Sequence, residues 1–167
     1  MGIGEREHNE FREMLHRCDS TIFRVCLVFT NRNPENVRDM YQDIVCSLWE
    51  NWPRFRGKCK ENTWVYRIAF NIAVSQVRRR SISPMFTTLD DETYSNLAEE
   101  SRNELIERLY ELIDRLTDEE KRIVLLYIDR LTAREIGATL GLTEAAVKHR
   151  IGRIKDKLIT LNKETDE

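Results

Sequence analysis

With 167 residues, 41% of them hydrophobic and 34% charged, the chain is too apolar to be disordered, too charged for a membrane protein and too short for a large enzyme. No apolar run approaches the ~20 residues that cross a bilayer, and the charged stretch 1–12 has no secretory h-region, so a cytoplasmic protein with no membrane insertion of its own is expected. Six Gly and three Pro leave room for long uninterrupted helices, and the net charge of -2 is a cancellation of blocks of opposite sign.

In chain order, Phe11, Met14, Leu15, Cys18, Ile22, Val25, Cys26 and Phe29 recur at the i, i+3, i+4, i+7 spacing of an amphipathic helix. Asn33 can cap a second helix with Pro34 at its first position. Its apolar stripe is Tyr41, Ile44, Val45, Leu48 and Trp52, and its other side collects Asp39, Gln42, Asp43, Cys46 and Glu50. Pro53 ends it, and a loop around Gly57 leads to a third helix from about Asn62 to Arg80. There Val65, Ile68, Ala69 and Ile72 point one way and Phe70, Val74 and Val77 roughly the other, which predicts a helix that is sandwiched or binds on one side.

Residues 81–102 contain Pro84, paired acids and little periodicity, and read as a flexible linker. Beyond it, Ser101-x-x-Glu104, Thr117-x-x-Glu120 and Thr132-x-x-Glu135 have the form of capping boxes, and a fourth helix starts at Thr143 and runs to about Leu161. The fold expected is all-α: a three-helix domain over 1–80, the linker 81–102 and a four-helix domain over 103–163.

The sharpest pattern is Ile136, Gly137, Leu140, Gly141, Leu142, Val147 and Ile151, which has the spacing of a helix-turn-helix. Gly137 suits a close helix crossing and Gly141 a left-handed turn. Opposite the apolar seam lie Ala145, His149, Gly152 and Arg153, flanked by Lys148 and Arg150, a small basic face suited to a major groove. The competing reading is an ordinary helical hairpin with a solvated face.

The charge blocks point the same way. Residues 54–80 carry eight bases against one acid, 90–120 twelve acids against three bases, and 121–163 ten bases against four acids. A polyanion can bind such a chain although its overall charge is near zero. In the first basic block Arg54, Arg56, Lys58 and Lys60 alternate along a loop, followed by Asn62, Trp64, Tyr66, Arg67, Phe70, Asn71, Arg78, Arg79 and Arg80. Cations that track phosphates, with aromatic rings or a loop pocket to receive unstacked bases, suit single-stranded nucleic acid. Alternatively, Trp64 is core and the arginines only solubilise.

Asp39 to Trp49, Phe55-Arg56-Gly57 and Thr63 to Asn71 together resemble region 2 of bacterial RNA polymerase sigma factors of the extracytoplasmic-function (ECF) group, and Glu135 to Ile151 resembles region 4 of the same group. The resemblance implies a promoter-specificity subunit whose partners are core RNA polymerase, promoter DNA and an anti-sigma factor. Asp39, Gln42, Asp43 and Glu50 would dock on the clamp helices of the largest catalytic subunit. The loop from Lys58 to Asn62 and the third helix would take a flipped base and the melted strand of the -10 element. Lys148, His149, Gly152 and Arg153 match positions that read the -35 element, and His149 and Gly152 depart from common family choices there. The acidic linker would enter the polymerase cleft.

No enzymatic constellation competes. His8 and His16 have no nucleophile or carboxylate that sequence places beside them, and P-loop and G-x-G-x-x-G motifs are absent. Cys18, Cys26, Cys46 and Cys59 lack C-x-x-C spacing, so reduced thiols and no metal or other cofactor are expected. The alternative function is a stand-alone helix-turn-helix transcriptional regulator.

Overall fold

A computed structural model describes residues 4–79 and 103–166, apart from the side chains of Arg78 and Arg79. The chain divides into two compact units, Met1–Tyr94 and Ser95–Glu167, and the described elements of both are helical. The expected linker 81–102 lies outside the described residues.

The first unit contains α1 (Glu5–Phe29), α2 (Pro34–Asn51), a 3-10 turn (Trp52–Arg54) and α3 (Glu61–Arg79). Phe11, Met14, Cys18, Ile22, Val25, Cys26 and Phe29 are buried on α1 as the periodicity predicts. From Thr21 to Phe29 the burial spreads to Phe23, Leu27 and Val28, because both α2 and α3 pack on this half of the helix. Asn33 caps α2 by accepting from the Asn36 amide. Tyr41, Ile44 and Leu48 are buried with Val37 and Met40, while Val45 and Trp52 are half-buried.

The two-sided reading of α3 is corrected. Its buried positions, Val65, Tyr66, Ala69, Phe70, Ala73 and Gln76, form one stripe. Ile68, Ile72 and Val74 flank that stripe half-buried and Val77 is exposed. A single stripe that faces α1 and α2 together is wide enough to look two-sided in sequence.

Polar bonds set the order of packing in this unit. Tyr41 Oη donates to Asp19 Oδ1 at 2.5 Å, tying α2 to α1. Burial raises the Asp19 carboxyl above its usual range, and the Tyr41 hydrogen bond opposes that rise. Since the folded value is raised, this carboxyl contributes most below its ordinary titration range and that contribution is lost as pH rises through the folded value. Tyr41→Phe leaves the carboxylate half-buried without that donor and is expected to cost about 1–3 kcal/mol at neutral pH. Denaturant unfolding should show the loss shrinking in acid, where Asp19 is neutral.

The second unit contains α4 (Glu104–Asp114), α5 (Asp118–Ile128), α6 (Ala133–Leu140) and α7 (Glu144–Thr165). The Thr117 and Thr132 capping boxes form, with Glu120 and Glu135 returning to the cap amides at 2.9 and 2.8 Å. Ser101-x-x-Glu104 does not supply the start of α4. Asn103 caps it by accepting from the Leu105 amide at 2.9 Å. Ile113, Ile123, Leu125, Leu126, Ile136, Val147 and Ile154 make the core. Arg108 holds the far end of α7 through Asn162 and Asp166, and the Lys155 ammonium lies 4.8 Å from the Tyr127 ring centre.

Candidate nucleic-acid and partner interfaces

The turn from α6 to α7 is built on two glycines. A Cβ at Gly137 would overlap the carbonyl oxygen of Leu142, so only hydrogen fits there. Gly141 sits at φ +73 and ends α6 in the left-handed conformation, and the Leu142 amide closes the turn on Gly137 O at 2.9 Å. Thr143 then caps α7 by accepting from the Ala146 amide at 3.1 Å. Val147 and Ile154 are buried beneath, with Ile151 half-buried.

This geometry leaves Lys148, His149, Gly152 and Arg153 exposed together on α7. Gly152 has open space where a Cβ would be, which leaves a notch in the face. Lys148 pairs with Glu144 at 2.9 Å, one turn away on the same helix. Arg150 departs from the expectation of a free cation: it is half-buried and ion-paired with Glu119 on α5. An open groove lined by Thr117, Glu119, Ala146, His149, Arg150 and Arg153 runs between the start of α5 and this face.

In the first unit Arg54, Arg56, Lys58 and Lys60 are all exposed on the segment from the 3-10 turn to α3, with Gly57 at φ +67 making the bend. Arg67 and Asn71 are exposed on α3. The side chains of Arg78 and Arg79, and Arg80 altogether, lie outside the described residues. Asn62 is less available than expected, since its Oδ1 accepts from the Cys18 thiol at 3.3 Å. Beside it Glu61 takes both guanidinium contacts of Arg17, at 2.7 and 3.1 Å, so the first turn of α3 is clamped to α1.

The aromatic residues of this block are structural. Tyr66 and Phe70 are buried. Trp64 packs on Phe55 at a ring separation of 4.9 Å and on Trp52 at 6.0 Å, and Trp52 stacks on Phe55 at 5.7 Å. The cluster continues through Phe11 to Trp49, and His8 meets the Trp49 ring edge-on at 5.3 Å. These rings pack on one another beside the basic loop rather than standing as free stacking platforms.

On α2, Gln42, Asp43, Cys46 and Glu50 are exposed as the helical spacing predicts. Asp39 is not: it is buried at 8% exposure. The last turns of α3 lie along that edge of α2, as the bond from Gln76 to Asp43 shows, and Asp39 sits one turn before Asp43. His8 and His16 are exposed. The four cysteines are thiols rather than disulfides, with Cys18 and Cys26 buried, Cys46 exposed and Cys59 half-buried. No group of three or more potential metal ligands occurs among the described residues. Among them too, no helix is long and apolar enough to cross a membrane.

Sequence reasoning missed two features. One is the Glu119 contact to Arg150, for which an acid in the first turn of a preceding helix is the only signal. The other is an apolar groove on the second unit, lined by Leu105, Leu109, Leu112, Leu158 and Ile159, with Leu105 80% exposed. The spacing 105, 109, 112 was a readable signal for a stripe, although core and exposed stripes look alike in sequence.

Comparison with known proteins decides between the two readings of function. The family model for Sigma-70 region 2 matches residues 14–82, and that for Sigma-70, region 4 matches residues 106–158. The chain is also 25% identical over 173 residues to the ECF RNA polymerase sigma factor SigW of Bacillus subtilis (strain 168), covering 93% of this chain and 90% of SigW. The chain is a sigma factor of the ECF group. It binds core RNA polymerase and directs promoter-specific initiation of transcription, which a stand-alone regulator with region 4 alone would not do. Two solved structures share the fold. CnrH in complex with the cytosolic domain of CnrY matches at a TM-score of 0.68 and 22% identity, over 94% of this chain and 90% of that one. The sigma factor RpoE in complex with the anti-sigma factor NepR, from Bartonella quintana, matches at 0.69 and 16%, over 92% and 97%.

Proposed function

We propose that the two units of this sigma factor divide promoter recognition as follows. Lys148, His149, Gly152 and Arg153 of α7 enter the major groove at the -35 element, with Arg153 reading base edges. The loop through Arg54, Arg56, Lys58 and Lys60, with Asn62, Arg67, Asn71 and Arg78 to Arg80 beyond it, takes the -10 element and its melted strand. Gln42, Asp43 and Glu50 dock on the clamp helices of the largest polymerase subunit, with the buried Asp39 beside them on α2. Residues 81–102 link the two units, and the protein works in the cytoplasm with no catalytic chemistry of its own.

The observation that carries this reading is the exposure pattern of α7. Val147 and Ile154 are buried while Lys148, His149, Gly152 and Arg153 face outward together, immediately after a turn that only glycines permit. An anti-sigma factor is a further proposed partner, because the structural relatives CnrH and RpoE are seen bound to CnrY and NepR.

The test is transcription in vitro by sigma-free core polymerase with the added full chain. Promoter-specific product should appear only when both are present. Arg153→Ala should cost about 1–3 kcal/mol of discrimination at one upstream base pair. Activity should also peak at one separation of the two elements, since each added base pair rotates one site by about a tenth of a turn. Flat activity across a full helical turn of spacers would overturn the joint action of the two units.

A further inference from the structure

The recognition face of α7 has a carboxylate neighbour, Glu119, which is not the residue that closes the α5 capping box. At the start of α5, Glu120 already performs the capping work, accepting from the Thr117 amide at 2.9 Å and from Lys157 Nζ at 2.9 Å. Glu119 lies one residue earlier, is exposed, and points its carboxylate at the Arg150 guanidinium across the groove that also exposes His149 and Arg153. A negative charge beside a surface meant for phosphates disfavours binding by like-charge repulsion.

We propose that Glu119 is a specificity-determining residue: it holds the Arg150 guanidinium and so withholds that cation from DNA phosphates. Phosphate contacts contribute to affinity for every sequence alike, whereas base-edge contacts discriminate. Among the described residues Arg153 has no ion-pair partner, so it remains the free guanidinium on this face. Neutralising Arg150 inside the protein lowers sequence-independent binding and leaves the choice of site to Arg153 and His149. The pair is about half-exposed, with side-chain exposures of 39% and 51%, so its hold is competitive with a phosphate and its effect is a graded one. The inference rests on the placement of α7 in the -35 groove.

A double-mutant cycle on the full chain tests it, with a short DNA duplex of mixed sequence as probe and salt as the variable. Glu119→Gln should tighten binding to this duplex and steepen the salt dependence by up to about 0.9, the value of one full extra phosphate contact. Over a fourfold range of salt that is a change of up to about 3.5-fold in the ratio of the two affinities. Arg150→Gln should lower the slope much less in the wild-type background than in the Glu119→Gln background, where it should remove the added steepness. A duplex pool randomised at the upstream element, sequenced after selection, should show a weaker base preference for Glu119→Gln than for wild type. Both substitutions are at partly exposed sites, and equal thermal midpoints would confirm that folding is unaffected.

If Arg150→Gln lowers affinity and slope equally in both backgrounds, Arg150 contacts phosphate with Glu119 present and the inference falls. An unchanged slope in Glu119→Gln overturns it as well. Arg153→Ala in the same selection separates the two levels of argument. Loss of base preference in Arg153→Ala together with an additive cycle overturns the role of Glu119 alone. Base preference indifferent to Arg153 overturns the groove placement, and the role of Glu119 with it.

Discussion

Gly137→Val should disable upstream recognition while leaving polymerase docking in place. The Cβ of any substitute overlaps the Leu142 carbonyl, which is backbone and is fixed by the Leu142 amide returning to Gly137 O. Such overpacking costs about 1–3 kcal/mol, and a β-branched residue in a helix sits at the upper end. A core this small supplies only roughly 3–5 kcal/mol, so the substitution removes most of what holds α6 and α7 together. Transcription from promoters that depend on the upstream element should fall more than tenfold, and helical circular dichroism should show an early partial melt. Capture of core polymerase through α2 should persist. Gly152→Ala is the control for stability alone, because nothing lies within 4 Å of its Cβ position and an exposed helical Gly→Ala change stabilises by up to about 1 kcal/mol. A Gly137→Val protein with a normal melt and normal upstream dependence would show that the turn tolerates a side chain, against the geometry.

The elements were largely legible in the sequence because each carries its own start signal. Asn33-Pro34, Thr117, Thr132 and Thr143 all cap the helices their chemistry predicts, and the Gly137 and Gly141 spacing announced the turn that connects α6 to α7. Such signals are local, and local chemistry is what a sequence displays directly. The site was legible only where exposure follows from a single helix. Lys148, His149, Gly152 and Arg153 lie opposite the buried Val147 and Ile154, so one helical wheel places them. Asp39, Asn62 and Arg150 needed knowledge of a second element. Asp39 is buried although it lies on the polar side of α2, Asn62 is engaged by Cys18 of α1, and Arg150 by Glu119 of α5. Trp64, Tyr66 and Phe70 show the same limit. Interleaved with bases they resemble a stacking platform, and only the packing of Trp52, Phe55 and Trp64 on one another reveals a wall.

That wall leads to the second large effect, at Trp64. Its ring is half-buried and touches both Phe55 and Trp52, the residues that bracket the start of the basic loop. Truncating a fully buried Trp costs about 3–5 kcal/mol, so Trp64→Ala at a half-buried site should cost roughly 2–3 kcal/mol. The functional loss should exceed the loss of stability, because Arg54, Arg56, Lys58 and Lys60 depend on this packing for their placement and a loop that samples many positions pays an ordering cost on every encounter with DNA. The Trp64→Ala protein should bind core polymerase normally, yet the resulting holoenzyme should produce little permanganate reactivity at thymines of the -10 element, the signature of a strand that is not melted. Trp64→Phe keeps an aromatic face against Phe55 and should recover most of the melting. Lys58→Ala with Lys60→Ala should impair melting with no change in thermal midpoint, since both side chains are exposed. Normal melting by Trp64→Ala, at a temperature where that protein is folded, would mean that the loop holds its shape without the aromatic wall.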